Sequence, residues 1–267
     1  MEVKKYTEAN RMAWNQANER HQTVKQANGK YEKFEQAGYS TFDKIIAEKL
    51  ISHGIEGKDV AQICCNDGEE TISLKNLGAN LVVGFDISDQ AIESAKKLSH
   101  RTGIKCNFVR TDAYEISNEF NNSFNIIYIS VGSLMWFPNL IDLFSVVQRL
   151  LKQNGVVIIY DVHPFILMLD ENNKDSPYEI KYSYFIDQPR VFKDGLDYIG
   201  KEKYDAFPTY NFDPTLSQIM EGLIKNGLAI EEFEELEHDI SMIFGHLDDR
   251  DLHIPKSFIL IARKKSE

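Results

Sequence analysis

The sequence predicts an α/β fold built on a mostly parallel, doubly wound sheet, and two observations support this prediction. First, short apolar runs alternate with helical stretches through the middle of the chain, a pattern typical of parallel strands joined by helices on both faces. Second, two further apolar runs, 229–236 and 257–262, close the chain and are expected to pair antiparallel. The runs predicted as parallel strands are 59–64, 81–86, 107–110, 124–130 and 156–160.

The helices are predicted from apolar residues at helical spacing and from breaking residues. Between the parallel strands the pattern predicts helices over 69–77, 89–101 and 139–151. Before them, 41–53 reads as an amphipathic helix with Thr41 as its cap. Residues 1–30 also have a helical pattern, but they are too polar for a core helix and Asn28-Gly29 breaks them.

One segment, 164–213, interrupts the strand–helix rhythm and is rich in aromatic and turn residues. We interpret it as a cap inserted after the fifth strand, and we expect some of its aromatic side chains to line an apolar substrate pocket. The predicted organisation is therefore an N-terminal lid over 1–40, a core over 41–163 and 214–267, and the substrate cap over 164–213.

Composition narrows the class of protein. The 267 residues carry a formal net charge of −11, which makes nucleic acid an unfavourable partner. Three cysteines without a CxxC spacing predict neither a disulfide framework nor a metal site. No apolar run reaches the ~18–20 residues needed to span a bilayer, and the N-terminus lacks a signal-peptide pattern. We expect a cytoplasmic protein without a membrane partner; the sequence does not indicate its oligomeric state.

The first strand-to-helix turn is the place to look for a ligand, because open parallel sheets bind ligands beyond the carboxyl ends of their strands. Here that turn, within residues 60–71, reads VAQICCNDGEET. Asp86 ends the second strand, 18 residues after Gly68. An acidic residue at this place can accept hydrogen bonds from the hydroxyls of a ribose.

The composition of the turn indicates which nucleoside-containing cofactor it suits. A dinucleotide site needs G-x-G-x-x-G, so that the backbone can approach a pyrophosphate. Here Gly68 is the single glycine, Cys64 and Asn66 stand where the others would fall, and Asp67 adds negative charge. The turn is therefore better suited to S-adenosylmethionine (SAM), which has no phosphate and carries a sulfonium cation.

The order of segments from residue 59 onward resembles the class I SAM-dependent methyltransferases. The sequences that carry this resemblance are QICCNDGEE, VVGFDIS, FVRTDAYEI, NIIYISVGSLMWFPNL and LLKQNGVVIIYDVHPF. More narrowly, the chain resembles a bacterial group of small-molecule methyltransferases with an NRxxWN-like N-terminal segment and an HP dipeptide after the fifth strand, here NRMAWN and His163-Pro164. The resemblance implies a Rossmann-like, seven-stranded fold that transfers a methyl group from SAM to a small molecule, leaving S-adenosylhomocysteine.

The resemblance also implies a role for individual residues. Cys64, Cys65, Asn66 and Gly68 would offer backbone to the methionine moiety. Asp86 would hold the ribose while Ile87 packs on the adenine, and Asp112 with Ala113 would read the adenine amino group. Ser130 and Gly132 would lie near the transferred methyl group. Asn10 and Trp14 would fold over the cofactor as part of the lid.

Each of these residues also has a purely structural interpretation. Asp86 could cap the following helix, Asp112 could form a turn, and Trp14 could anchor its own helix. His163 is a candidate general base, with an ordinary pKa of ~6.5, or a residue that fixes the turn before Pro164. Two other functions remain open: an NAD-dependent oxidoreductase, and a non-catalytic SAM-binding module.

Overall fold

The computed structural model describes residues 3–200, 203–241, 243–247 and 250–265. Its main feature is a sheet of seven strands: β1 (Val60–Ile63), β2 (Val82–Asp86), β3 (Asn107–Arg110), β4 (Phe124–Ser130), β5 (Leu151–Val162), β8 (Leu228–Leu236) and β9 (Ser257–Lys264). Their order is β3-β2-β1-β4-β5-β9-β8. The first five run parallel, and β9 pairs antiparallel with both β5 and β8. The predicted α/β, Rossmann-like fold is confirmed, including the antiparallel closing pair.

Seven α-helices accompany the strands in the described ranges: α1 (Val3–Ala27), α2 (Lys30–Phe34), α3 (Lys44–Ser52), α4 (Glu69–Asn76), α5 (Asp89–Thr102), α6 (Leu140–Leu150) and α7 (Leu216–Lys225). Side chains cap several of them, since the first N–H groups of a helix have no partner inside it. Ser88 caps α5, and Asp43 caps α3 by accepting from the Ile46 N–H group. The predicted cap Thr41 is wrong: it lies outside α3 and its hydroxyl contacts Ser73. Across the described residues, no helix is long and apolar enough to cross a membrane.

Two parts of the fold differ from the sequence prediction. Strand β5 begins at Leu151, directly after α6, rather than at Val156, so no loop separates helix from strand. Helix α7 has no counterpart in the prediction, although Thr215 and Gln218 form a capping box at its start. The S/T-x-x-E/Q signal of this capping box is readable in the sequence.

The strand order reverses between β1 and β4, which places a crevice beyond the carboxyl ends of these two strands. All four residues of β1 are buried, as expected for a strand with helices on both faces. The β1–α4 and β4–α6 connections leave the sheet in opposite directions at this point. The turn at Cys64 and the loop after Ser130 therefore face each other across the crevice.

The segment after β5 contains little regular structure. Its two short strands, β6 (Arg190–Phe192) and β7 (Thr209–Asn211), pair antiparallel and form a sheet of their own. Arg190 pairs with the buried carboxylate of Asp213 and donates to the Leu167 carbonyl at 2.9 Å. That this segment is an inserted substrate cap stays a proposal.

Helix α1 lies between the core and the 164–213 segment, and it holds both by polar contacts. On the core side, Asn15 and Asn18 bond to side chains of α5 and its cap. On the other side, Asn10 both donates to the Tyr210 carbonyl at 3.0 Å and accepts from the Tyr210 N–H at 2.8 Å. The buried face of α1 is thus mostly polar, which explains why its sequence does not read as a core helix.

Candidate active site

A cavity of about 250 Å³ lies in the crevice beyond the carboxyl ends of β1, β2 and β4. Helix α1 forms one of its walls through Thr7, Asn10, Trp14 and Lys25. The residues predicted to bind a cofactor that line it are Asn10, Trp14, Cys64, Cys65, Asn66, Asp86, Ile87, Asp112, Ala113, Ser130 and Gly132. The fold thus brings these residues together, whereas Gly68 and His163 are not part of the lining.

The turn after β1 is held in an unusual backbone conformation. Cys64 and Asn66 have positive φ angles of 59° and 48°, in the left-handed region that L residues seldom adopt. The Cys65 N–H donates to the Phe85 carbonyl at 3.0 Å, which ties the turn to β2. Burial raises the pKa of both cysteine thiols well above the ordinary value, so they stay protonated. A buried thiol that stays protonated is a poor nucleophile.

Gly68 closes this turn and has a packing role. Its φ angle is 79°, and it caps α4. A Cβ atom added here would lie 2.7 Å from both the Ala95 Cβ and the Phe108 ring. The position is therefore closed to any side chain, because α5 and β3 approach the backbone of the turn directly.

Asp86 occupies the end of β2 and lines the cavity. Its two carboxylate oxygens accept from the backbone N–H groups of Asn66 and Ser88, both at 2.8 Å. Burial raises the pKa of Asp86 to about 6, and these two hydrogen bonds act against that rise. Asp86 therefore joins the β1 turn to the β2 turn. Capping of α5 falls to Ser88 and not to Asp86.

Asp112 and Ala113 follow β3 and also line the cavity. Asp112 accepts from the Tyr114 N–H at 3.1 Å and so caps a short 3₁₀ turn. The Tyr114 hydroxyl in turn donates to the Asn139 carbonyl at 3.0 Å. The turn-forming interpretation of Asp112 is thus present in the structure, together with its position at the cavity wall.

The negative charge of Asp67, which the sequence suggested would disfavour an anionic ligand, is paired with lysines in the structure. Asp67 is buried and accepts from Lys25 and from Gln22, and Lys25 also lies 3.1 Å from Glu69. Burial alone would raise the pKa of Asp67, but the charges of Lys25 and Lys30 hold it at about 2. Because this carboxylate is paired with lysines, it does not by itself repel an anionic ligand. The side chains at Cys64 and Asn66, where a dinucleotide site has glycines, are what make the turn unsuited to a pyrophosphate.

Glu70, which the sequence analysis did not single out, lines the cavity on the first turn of α4. Its carboxylate accepts from the Ser130 hydroxyl, from Gln62 Nε2 at 2.8 Å and from the Tyr128 hydroxyl at 3.4 Å. Burial raises the pKa of Glu70, against these three hydrogen bonds. Its signal in the sequence is only its position two residues after Gly68, which places it beside the carboxyl end of β4.

Asp161, near the end of β5, fixes the loop that follows β4. It is 3% exposed and accepts from the backbone N–H groups of Gly132, Leu134 and Val162, the last two at 3.0 and 2.7 Å. Burial raises the pKa of Asp161, and these backbone donors oppose the rise. The loop it holds runs from Ser130 to Trp136 along the cavity wall.

Aromatic rings from three separate segments meet at the cavity. The ring centroids of Trp14 and Trp136 are 5.6 Å apart with an interplanar angle of 77°, and those of Trp14 and Tyr198 are 6.5 Å apart at 76°. His21 packs against Tyr198 at 4.8 Å and contacts the Leu196 carbonyl through Nε2 at 2.7 Å. Of the aromatic residues in the 164–213 segment, Tyr198 is the one that lines this cavity.

His163 lies at the end of β5, away from the cavity lining. Its Nδ1 accepts from the Phe165 N–H at 3.1 Å, and its Nε2 lies 3.0 Å from the Glu235 carboxylate. Burial lowers the pKa of His163 against the pull of that carboxylate. This placement favours the alternative role of fixing the turn before Pro164, and it gives His163 no contact through which to act as a base in the cavity.

Three comparisons with known proteins agree on the kind of domain. Residues 60–155 match the family model described as a methyltransferase domain. A sterol 4-C-methyltransferase of Caenorhabditis elegans is 28% identical over 49% of this chain and 37% of its own length. A ubiquinone biosynthesis O-methyltransferase of Shewanella pealeana is 24% identical over 41% of this chain and 46% of its own. The chain thus spans less than half the length of these two relatives.

Solved structures extend the likeness to most of the chain. A SAM-dependent methyltransferase from Mesorhizobium loti has a TM-score of 0.60 and 21% identity, covering 82% of this chain and 96% of that one. One from Listeria monocytogenes also scores 0.60, with 19% identity, covering 84% and 100%. At this level of identity the likeness concerns the fold. Together with the matched domain and the strand order, it shows that the chain has the fold of the class I, SAM-dependent methyltransferases, with a methyltransferase domain matched over 60–155.

Proposed function

We propose that the protein binds SAM in the cavity described above and transfers its methyl group to a small-molecule acceptor. The observation that carries the proposal is the position of Asp86, a half-buried carboxylate at the end of β2 that lines a cavity at the switch point of the sheet. Ligands of open α/β sheets bind at that place, and an acidic residue there suits ribose hydroxyls.

The residues at the cavity fit an adenosyl sulfonium compound. Asp86 would accept from the ribose hydroxyls, and Ile87, Asp112 and Ala113 would surround the adenine. The turn over 64–66 would face the methionine moiety, with Lys25 close by. No phosphate-binding glycine pattern is needed for such a ligand, and the carboxylates at the wall favour a cation over an anion.

When bound, the cofactor supplies a methyl group already activated by a sulfonium. The chain's own residues then have to hold the acceptor in line with that methyl group and exclude water, and such alignment is worth ~7–11 kcal/mol. Ser130 and Gly132, on the loop that Asp161 fixes, would form the wall beside the methyl group. Asn10 and Trp14 of α1 would close the cavity, which is the role we propose for the lid over 1–40, with 164–213 as the substrate cap. The outermost residues of that division, 1–2 and 266–267, lie outside the described residues.

Calorimetry with S-adenosylhomocysteine tests this proposal. We expect binding by the unmodified protein and a loss of at least about tenfold in affinity for Asp86→Ala, since a charged acceptor for two hydroxyls is removed. Glu93→Gln, on the exposed face of α5, is the matched control and should bind normally. Binding of NAD in place of S-adenosylhomocysteine would overturn the proposal in favour of an oxidoreductase. Binding without methyl transfer to any of a broad set of acceptors would favour a non-catalytic SAM-binding module.

A further inference from the structure

The charges at the cavity wall indicate what kind of acceptor it takes, if the proposed function is correct. Among the described residues that line the cavity, the carboxylates are Asp67, Glu69, Glu70, Asp86 and Asp112, and the single cation is Lys25. Lys25 is already paired with Asp67 and Glu69. The wall therefore offers no free cation to an acceptor that carries a carboxylate or a phosphate.

Glu70 is the carboxylate whose place is not explained by the proposed cofactor contacts. Asp86 ends β2 and Asp112 follows β3, at the end of the cavity assigned to the nucleoside. Glu70 instead contacts Ser130, at the start of the loop that leads to Trp136. Its donors, the Ser130 and Tyr128 hydroxyls and the Gln62 amide, are all neutral, so its negative charge is not paired by them.

The aromatic rings provide a second, independent observation. Trp14, Trp136 and Tyr198 line the same cavity, and the ring of Trp14 is nearly perpendicular to each of the other two. Rings at such angles form a corner that presents π faces in more than one direction. Aromatic faces attract alkylated ammonium groups through the negative quadrupole of the ring, and tryptophan does so best.

We propose that the methyl acceptor is an amine that enters as a cation, with its charged nitrogen held between the Glu70 carboxylate and the corner formed by Trp14, Trp136 and Tyr198. A neutral acceptor of the same shape lacks the charge that both elements attract. An anionic acceptor is repelled by Glu70, and the cation on the described wall, Lys25, is already paired with Asp67 and Glu69.

Methyl transfer to such an acceptor requires a group that takes up a proton, and Glu70 fills that role. An ammonium nitrogen has no lone pair, so it first gives a proton to the Glu70 carboxylate. The lone pair then forms the nitrogen–carbon bond, and the carbon–sulfur bond breaks with its electron pair remaining on sulfur. Glu70 returns its proton to water after the products leave. Burial raises the pKa of this carboxyl, with Asp161 adding to the rise, which makes it a better proton acceptor than an exposed glutamate.

Three soluble probes of nearly equal shape test the proposal: choline, its neutral isostere 3,3-dimethylbutan-1-ol, and the anion 3,3-dimethylbutanoate. Calorimetry on the protein saturated with S-adenosylhomocysteine gives their affinities. The chain has two tryptophans, Trp14 and Trp136, so intrinsic fluorescence reports directly on the cavity. We expect choline to perturb the fluorescence and to bind at least about tenfold more tightly than the alcohol, with no binding of the anion. Equal binding of choline and the alcohol, or preference for the anion, would overturn the proposal.

Variants separate Glu70 from the cofactor site. Glu70→Gln should lose about tenfold in choline affinity and keep its affinity for S-adenosylhomocysteine, while Glu93→Gln should change neither. Because choline carries a permanent charge, its affinity for the unmodified protein should fall as pH falls and Glu70 is protonated. The affinity of Glu70→Gln should stay constant over the same range. If Glu70→Gln weakens S-adenosylhomocysteine as much as choline, Glu70 serves the cofactor and the proposal is wrong. Failure of the unmodified protein to bind S-adenosylhomocysteine would instead refute the proposed function.

Discussion

Replacement of Gly68 by alanine should destabilise the protein through two separate effects. The φ angle of 79° places the new residue in the left-handed region, at a cost of about 1–2 kcal/mol. The added Cβ would also lie 2.7 Å from the Ala95 Cβ and from the Phe108 ring, both of which are packed in the core. Overpacking of this kind costs about 1–3 kcal/mol. The expected loss in the free energy of unfolding is therefore about 2–5 kcal/mol.

Gly103 provides a matched control for the backbone effect. It has a φ angle of 70° at the end of α5, and a Cβ atom there would meet nothing within 4 Å. Gly103→Ala should thus lose only the conformational part, about 1–2 kcal/mol. The difference between the two variants measures how closely α5 and β3 approach the turn after β1.

Thermal denaturation followed by circular dichroism measures both variants. For a chain of this size, 1 kcal/mol corresponds to about 2–4 °C in Tm, so Gly68→Ala should lower Tm by about 4–20 °C. Gly103→Ala should lower it by less than about 8 °C. If the two variants lose the same amount, the packing around Gly68 is not as described, and the reasoning that assigns this glycine to packing fails.

Three other predictions follow from named contacts. The ionised form of Asp86 is the better acceptor for ribose hydroxyls, and its pKa is about 6. Affinity for S-adenosylhomocysteine should therefore fall as pH drops below 6, by up to about tenfold per pH unit. Calorimetry from pH 5 to 8 checks this, and Asp86→Asn, which should bind weakly, must show no such dependence. Asn10→Ala removes the side chain that bonds both the N–H and the carbonyl of Tyr210. Hydrogen exchange at the Tyr210 amide should accelerate about 5- to 150-fold, equivalent to ~1–3 kcal/mol. Thr23→Ala on the same helix should leave this exchange unchanged. Asp161→Asn places an amide N–H group among backbone N–H donors and should lower the free energy of unfolding in urea by about 1–3 kcal/mol. Asp142→Asn, on the surface of α6, is the control. An unaltered unfolding midpoint for Asp161→Asn would mean that Asp161 does not fix the loop after β4.

The strands of the core were predictable because each is short, apolar and bounded by turn residues. The bounds of β3 and β4 coincide with the predicted 107–110 and 124–130, β2 ends at Asp86 as predicted, and Asp112 lies two residues after β3. A strand end in a parallel sheet has a known direction, so the cavity and most of its lining could be anticipated from order along the chain.

The contacts that the sequence could not supply are those between distant segments. Glu70 reaches Ser130, 60 residues away, and Asp67 reaches Lys25, 42 residues away. Periodicity reports on burial of a face and is silent on which charged side chains meet there. His163 shows the same limit in reverse, since its position after β5 suggested the crevice while Glu235 and Phe165 hold it elsewhere.

The polar seating of α1 has a kinetic consequence. Hydrogen bonds between protein groups exchange for hydrogen bonds to water at a net change of only about 1 kcal/mol each. Detachment of α1 therefore breaks the hydrogen bonds of Asn10, Asn15 and Asn18 and the aromatic contacts of Trp14, and it needs less free energy than unfolding of the sheet. If ligands enter and leave the cavity beneath α1, the turnover rate should change at low urea concentrations that leave the sheet folded. The turnover rate of such an enzyme would be set by the opening of α1 rather than by the rigid sheet below it.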